Sequence, residues 1–549
     1  MNAASVVPSA RTGLSTRTVE RLAWAGWFLA FGLISALWPR DAGFDVMHYH
    51  LHNGWSALHG RLHHDLAPAE MHSFLNPAYN LVVWWLIERL PGPAVAFLLG
   101  LVQGAILPVL FGLSRRIMRS MDRDLSVMAA LAIASLGFFC APAWSNFASL
   151  RNDHIGALAF LVGLYVLLPR EKGASVDLRR VALAAGCVGF AAGLKLTNVI
   201  YVPAFAIFAL LPAHDWEDRL KRVLVCSVAG GGCLTLAAGP WMAVLWQDFA
   251  NPVFPNFAGL FPGPDAATDA SRDVRYLPAN LLEALTLPLR ASFDGRYINE
   301  LAVIDLRLGL AFTGAGYVAG MAPALKTLPR LAVALAASIL TLLAVWIGMF
   351  SIMRYASAVW MLAPLMVWVA WSCSGRSWPK GRNGHLLAAG LGVALLATTS
   401  PENIRRIAWE SPTEPYVTVE RPDDFAYDNA LIFIAAEFPA AFTATAFPEA
   451  RLTHIDAQAW SAPFLANYRR RIADALETHD GPLYLVHCWP QRIDRGDGQS
   501  VINAYTPEKA LQGDGERYGL SHRPEDCREL KTSFSTDATK WQICPLQRE

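Results

Sequence analysis

The chain has 549 residues, of which 54% are hydrophobic and only 17% charged, with a mean hydropathy of +0.30. Soluble globular domains carry about 25% charge, so the composition excludes an ordinary soluble enzyme. A net charge of +1 excludes the strongly basic surface expected of a nucleic-acid binder.

The N-terminal stretch is polar and basic, and the apolar run Leu22–Trp38 follows it. That run is too long for a signal-peptide core and ends at Trp38-Pro39-Arg40, a poor cleavage site, which predicts a retained first helix. Further candidate spans follow at Ala94–Leu113, Leu125–Trp144, Ile155–Leu168, Val181–Val199, Ile200–Pro212, Val223–Trp246, Leu308–Leu325, Leu331–Phe350, Ala356–Trp371 and Leu386–Thr399. This predicts an α-helical polytopic membrane protein with about eleven transmembrane helices. The apolar segment Asn76–Leu90 is short, and its Trp84 and Trp85 suit a helix lying in the membrane interface.

The charges between spans support this count. Arg115, Arg116, Arg119 and Arg123 follow the second span, and Arg170, Lys172, Arg179 and Arg180 follow the fourth. Arg219, Lys221 and Arg222 follow the sixth, Lys326 and Arg330 the eighth, and Arg376, Lys380 and Arg382 the tenth. Basic short loops face the cytoplasm. The N-terminus is therefore expected in the cytoplasm, and the tail outside it. Two long outer loops are expected at 39–93 and 247–307, and loops of this length are usually functional. The membrane domain is expected to span 1–399.

Residues 400–549 have soluble composition. Ala430–Ala436 and Pro482–His487 read as buried strands and Arg470–Glu477 as helix, which predicts a small C-terminal α/β domain. An oxidising compartment would permit one disulfide there, most simply Cys527–Cys544.

The chemistry-bearing residues lie near the outer face. Asp45 follows the first span with Tyr49 at i, i+4, next to His48, His50 and His52; burial there is expected to raise a carboxyl pKa toward the range of a general base. The other reading is an aspartate capping a short helix. Seven of the fourteen histidines fall between His48 and His72. Their spacing matches no zinc motif, and interfacial contacts to phosphates and hydroxyls are the alternative. Arg151 and Asp153 stand at the edge of hydrocarbon in the next outer turn, where ionisable groups are costly unless paired or functional. Lys195 and Arg354-Tyr355 add two cations at outer helix ends; they read either as snorkelling side chains or as the holders of an anionic headgroup. Asn251-Pro-Val-Phe-Pro-Asn-Phe257, followed by Arg272, Asp273, Arg275 and Tyr276, reads as a flap. No nucleotide-binding motif is present.

In order and sidedness, these elements resemble the GT-C superfamily of integral-membrane glycosyltransferases, which use polyprenyl-phosphate-linked sugars. The resemblance covers roughly residues 20–375. It rests on Asp45 in Asp-x-x-x-Tyr-His, the helix after Asn76-Pro77, Gly112-Leu-Ser-Arg115-Arg116, Asp153, the Gly189–Lys195 stretch, Asn-Pro-Val-Phe-Pro, and Arg354-Tyr355. It implies an inverting transfer of sugar from a polyprenyl-phosphate carrier to a glycan, lipid or protein hydroxyl. The setting would be the outer face of a cell inner membrane, with a periplasmic tail. It implies Asp45 as base, Asp153 as the second acidic position supporting the acceptor or a metal, and Lys195 and Arg354 as phosphate-binding cations. Tyr49, His50, Arg151 and Tyr355 are expected to line the substrate site, and a divalent metal is left open. Phe44 stands where the family pairs a second carboxylate with the base, which keeps Asp41 as an alternative. A transporter or lipid flippase and a membrane scaffold are the competing readings; neither an inverted repeat nor a midplane charge favours transport.

Overall fold

The computed structural model describes residues 16–169, 176–263, 273–321, 328–375, 382–401, 404–435, 439–455, 462–489, 492–494, 500–502, 511, 518–537 and 539–549. Arg170, Lys172, Arg272, Lys326, Arg376 and Lys380 lie outside these residues.

A helix stands at each position where a span was expected. They are Thr16–Leu37, Gly92–Gly104 continued by Ile106–Ser120, Val127–Phe138, Asp153–Leu167, Leu178–Leu194, Tyr201–Leu210, Trp216–Phe249, Arg307–Met321, Arg330–Met349, Ser357–Cys373 and Arg382–Ala397. Among the described residues, four segments are long and apolar enough to cross a membrane by length and composition: Gly92–Ser120, Trp216–Phe249, Arg330–Met349 and Met353–Cys373. The count of about eleven spans therefore does not follow from length alone. The expected Val181–Val199 span stops at Leu194, because Lys195 adopts an extended backbone and a 3-10 turn follows.

Local sequence chemistry starts several of these helices. Ser126, Asp177, Asp215 and Asn280 each accept a backbone N–H at a helix N-terminus with their side-chain oxygen. Small residues then bring the helices together. A Cβ at Gly189 would lie 2.0 Å from the Gly230 carbonyl oxygen, so only glycine lets helices 178–194 and 216–249 touch backbone to backbone. A Cβ at Gly156 would lie 2.1 Å from Asn198 Oδ1, so that glycine draws the start of helix 153–167 against the turn that follows Lys195. Phe160, Leu164, Phe208, Leu335, Ile339, Trp346, Trp360 and Met361 are among the buried side chains that fill the bundle.

The loop over 39–93 is folded throughout. Arg40–Asp41 pairs antiparallel with Arg406–Ile407 of the tail. A π-helical turn at Val46–His50 runs into the α-helix Leu51–Leu58. The segment expected to be interfacial forms the helix Ala78–Ile87; Trp85 is exposed, whereas Trp84 is buried in a core shared with the tail. Asn76 Nδ2 donates to the carbonyls of Gly193 at 2.8 Å and Ala237 at 3.0 Å, tying this loop to the helix that ends at Lys195. In the second long loop, Phe254 stacks on Phe249 with ring centres 3.9 Å apart and meets Phe74 at 4.9 Å, so its first part is packed against the first loop.

The tail forms a mixed sheet. Its strands lie in the order Val419–Glu420, Arg528–Thr532, Lys540–Arg548, Leu483–Trp489, Leu431–Ile434 and Arg451–His454, with Leu520–His522 also pairing Lys540–Arg548. The strands expected over 430–436 and 482–487 are found at Leu431–Ile434 and Leu483–Trp489, which pair in parallel, with residue 436 outside the described residues, and helix Ala462–Glu477 makes the crossover between Arg451–His454 and Leu483–Trp489. Cys527 and Cys544 form the expected disulfide.

Candidate active site

Four helix ends and one loop converge where the bundle meets the tail. Asp153 opens helix 153–167, a position where the helix dipole favours a carboxylate. Lys195 closes helix 178–194. Arg354 and Tyr355 sit in the 3-10 turn Met353–Ala356. That turn is fixed by Met353 N–H donating to the Ile298 carbonyl at 2.9 Å, Trp346 Nε1 donating to the Ile352 carbonyl at 2.7 Å and Tyr201 Oη donating to the Tyr355 carbonyl at 2.8 Å. Asp45 immediately precedes the π-helical turn, a winding that is rare and concentrated at functional sites.

The four charged side chains form one chain of ion pairs. Lys195 Nζ lies 2.6 Å from Asp153 Oδ1, Arg354 Nε 3.8 Å from Asp153 Oδ2, and Arg354 Nη1 2.9 Å from Asp45 Oδ2. The Tyr355 ring lies between the cations, 5.3 Å from Lys195 Nζ and 5.5 Å from the Arg354 guanidinium carbon. Asp153 is almost fully buried, at 1% side-chain exposure, whereas Arg354 is 25% exposed. Asp153 is thus the fixed anion and Arg354 the most accessible member of the set.

Arg151 does not join this chain by a direct pair with Asp153. Its Nε lies 3.5 Å from Asp41 Oδ2, and its Nη2 donates to the Ser145 carbonyl at 2.6 Å. Asp41 is fully buried and accepts the Gly43 N–H at 2.7 Å. The two hold the turn 145–151 against the start of the loop.

Burial alone pushes the Asp45 carboxyl up, as expected from sequence. Burial is the largest single influence, but the Arg354 guanidinium beside it, together with Arg151, His50 and Lys195, outweighs it and holds the carboxyl well below the usual carboxylate range. The expected direction is therefore reversed, because Arg354, expected as a phosphate-binding cation, is paired with the carboxylate expected as the base. Burial pushes His50 down to about 4 and His72 to the same value, and it pushes the Tyr49 hydroxyl well above its ordinary range. All three are neutral near pH 7. His50 Nδ1 meets Asn80 Oδ1 at 2.8 Å, which makes Nδ1 the donor and leaves Nε2, buried and without a hydrogen-bond partner, as an acceptor. Tyr49 stacks on His72 with ring centres 4.8 Å apart.

The histidines do not share a centre. His48 lies 3.9 Å from the buried carboxylate of Glu70, His50 turns to Asn80, and His52 meets the neighbouring Asn53. Helical winding sends successive members of His48-x-His50-x-His52 to different sides, where a strand would have aligned them. Among the described residues, the one group of three potential metal ligands close together is His487, Cys527 and Cys544, and its two thiols are joined in the disulfide. Among the described residues, that group includes neither Asp45 nor Asp153.

Asn80 and Glu70 were not singled out in the sequence, where Asn76 figured only before the helix and His72 only as the end of the histidine cluster. Asn80 is the one polar side chain in the middle of the apolar run Ala78–Ile87, and that isolation was the available signal.

No protein-family model matches the chain, and no curated protein does. Among solved structures it is similar to ArnT from Cupriavidus metallidurans bound to undecaprenyl phosphate, with 12% identity over 96% of this chain and 98% of that one and a TM-score of 0.49. It is also similar to the Archaeoglobus fulgidus oligosaccharyltransferase in the apo form, with 12% identity over 86% and 69% of the two chains and a TM-score of 0.47. A third is AglB from the same organism in complex with an inhibitory peptide and a dolichol-phosphate, with 12% identity, 85% and 69% coverage and a TM-score of 0.42. Likenesses of this degree assign no activity to the chain.

Proposed function

We propose that this chain is an integral-membrane inverting glycosyltransferase that moves a sugar from a polyprenyl-phosphate carrier to an acceptor hydroxyl at the outer membrane face. The observation that carries the reading is the convergence of Asp45, Arg354, Asp153 and Lys195 at one end of an apolar helix bundle. Two cations with a low-dielectric wall behind them suit a phosphate that gains charge as it leaves. A carboxylate next to them suits removal of a proton from the attacking hydroxyl.

In the proposed reaction the acceptor oxygen bonds to the anomeric carbon as the bond from that carbon to the phosphate oxygen breaks. The bonding pair leaves with the phosphate, and the acceptor proton passes to Asp45. Lys195 and Arg354 receive the phosphate charge. Asp153, fixed at its helix start, sets the spacing of both cations. His50 Nε2 accepts a hydrogen bond from a substrate hydroxyl. One displacement inverts the anomeric centre, and a carrier held in the bilayer brings entropy already lost to the encounter. The identity of sugar and acceptor enters none of these steps.

The test is Asp45→Asn, with turnover of polyprenyl-phosphate sugars followed in membranes containing equal amounts of folded protein. The expected outcome is loss of turnover by about a hundredfold or more, with carrier binding retained. Full activity would move the base to Asp41 or Asp153. Absence of turnover by the unaltered protein with any donor would favour transport.

A further inference from the structure

The proposed base and one proposed phosphate ligand neutralise each other in the substrate-free protein. Arg354 Nη1 approaches Asp45 Oδ2 to 2.9 Å, yet Asp45 Oδ2 has no hydrogen-bond partner, so the contact is an ion pair without directional bonding. Arg354 Nε, 3.8 Å from Asp153, is likewise without a hydrogen bond. The guanidinium is the most exposed group of the four, while Lys195 is held by a 2.6 Å bond to the buried Asp153. One cation is anchored, and the other rests on a carboxylate with its bidentate donor edge only partly used.

We propose that Arg354 is a phosphate-operated latch: in the donor-free protein it occupies Asp45, and arrival of the phosphate group of a polyprenyl-phosphate-linked sugar draws it away and releases that carboxylate to act on the acceptor. The inference rests on the glycosyltransferase reading and adds to it a fixed order, donor before acceptor. A planar guanidinium binds phosphate bidentately through directional, charge-assisted bonds, and the loose contact with Asp45 offers none. Once Arg354 turns to phosphate, its influence on Asp45 weakens and burial pushes the carboxyl back up, which makes it a better proton acceptor. An acceptor hydroxyl entering first meets a carboxylate already engaged.

The latch costs affinity, because phosphate finds a competent Arg354 only in the fraction of molecules where the pair is open. Asp45→Asn preserves shape and removes the competitor. Binding of a short-chain polyprenyl phosphate, and separately of inorganic phosphate, is measured by calorimetry on the full chain in nanodiscs. The variants are Asp45→Asn, Arg354→Ala and the double variant. The expected result is about fivefold or greater tightening for Asp45→Asn, absent when the same change is made in Arg354→Ala. Equal or weaker binding by Asp45→Asn overturns the latch. Tightening that persists without Arg354 is general charge relief and overturns it too. Tightening toward inorganic phosphate alone keeps the latch and sinks the lipid carrier. Failure of every variant and of the unaltered protein to bind either probe sinks the glycosyltransferase reading, and the latch with it. Asp45→Ala repeats the test if the asparagine variant folds poorly.

Discussion

Lys195 shows how a single residue divides a structural from a chemical role. Its 2.6 Å contact with Asp153 would be needed in either case, since a buried carboxylate stripped of its partner is costly. The difference lies in what else it faces. The Tyr355 ring and the Arg354 guanidinium place a second cation within reach of the same anion, so Asp153 is not orphaned when Lys195 is shortened. Lys195→Ala is therefore expected to lower turnover by about a hundredfold, the order seen when a charge-stabilising donor is removed. The yield of folded protein should fall much less, measured as detergent-extracted monomer on a sizing column. Parallel losses would make Lys195 an anchor only. At this scale the sequence was legible where an ionisable residue interrupted apolar surroundings: Asp45, Asp153, Lys195 and Arg354 all stood out for that reason and meet in the fold. Their pairing was not legible. Nothing in the spacing tells that Arg354 reaches Asp45, more than three hundred positions away, or that Arg151 turns to Asp41 instead of Asp153.

The element that surrounds the site is the loop over 39–93, and its histidines make its stability depend on acid. His48, His50, His52 and His72 are all pushed below the ordinary histidine value of 6.5, chiefly by burial, His50 and His72 to about 4. A histidine whose folded-state value is depressed is neutral in the fold where the unfolded chain would be protonated. Its stabilisation is complete above pH 6.5 and is lost as pH falls toward 4. A shift from 6.5 to about 4 corresponds to roughly 3 kcal/mol per residue at the acid limit. The thermal midpoint is expected to hold from pH 8 to 6.5 and then fall. His50→Gln should flatten the fall without abolishing it, because the other three remain. A midpoint independent of pH between 6.5 and 4 would mean that these imidazoles are hydrated. The sequence indicated that this loop matters through its length and histidine content. It did not reveal the π turn at Val46–His50, since an extra residue per turn leaves the hydrophobic periodicity over five residues unreadable.

For the whole molecule, the tail and the loop form one cover over the bundle end. Leu66 N–H donates to the Leu452 carbonyl at 2.7 Å, and Thr453 Oγ1 donates to the Leu66 carbonyl at 3.1 Å. His454 Nδ1 meets the Ala67 carbonyl at 2.8 Å, and Gly92 N–H donates to the Glu414 carbonyl at 2.7 Å. Arg61 is the main clasp: it pairs with Asp65 at 2.7 Å and donates to the carbonyls of Pro448 at 2.6 Å and Ala450 at 2.5 Å. The tail's strands were legible as short apolar runs, but this docking was not, because it uses backbone carbonyls that any sequence would supply. It has a topological consequence. Gly92 begins at the tail, and the helix pair running to Ser120 carries Arg115, Arg116 and Arg119 to the other end of the bundle. If the basic end faces the cytoplasm, as the charge rule demands, loop, tail and the four charged residues share the outer face. In a background without other free cysteines, a membrane-impermeant maleimide added outside intact cells should label Thr413→Cys and spare Lys221→Cys; the reverse pattern would invert the topology. The clasp predicts more than sidedness. Arg61→Ala leaves Asp65 buried without its cation, a loss of roughly 3–5 kcal/mol in local stability. Because Asp65 also accepts the Leu452 N–H at 3.0 Å, the damage should spread in both directions. Hydrogen exchange is expected to accelerate together over 46–58 and 451–454, and turnover to fall although no group touching substrate has changed. Faster exchange in the tail alone would show that the loop stands by itself and that the tail is a passenger, not a cover.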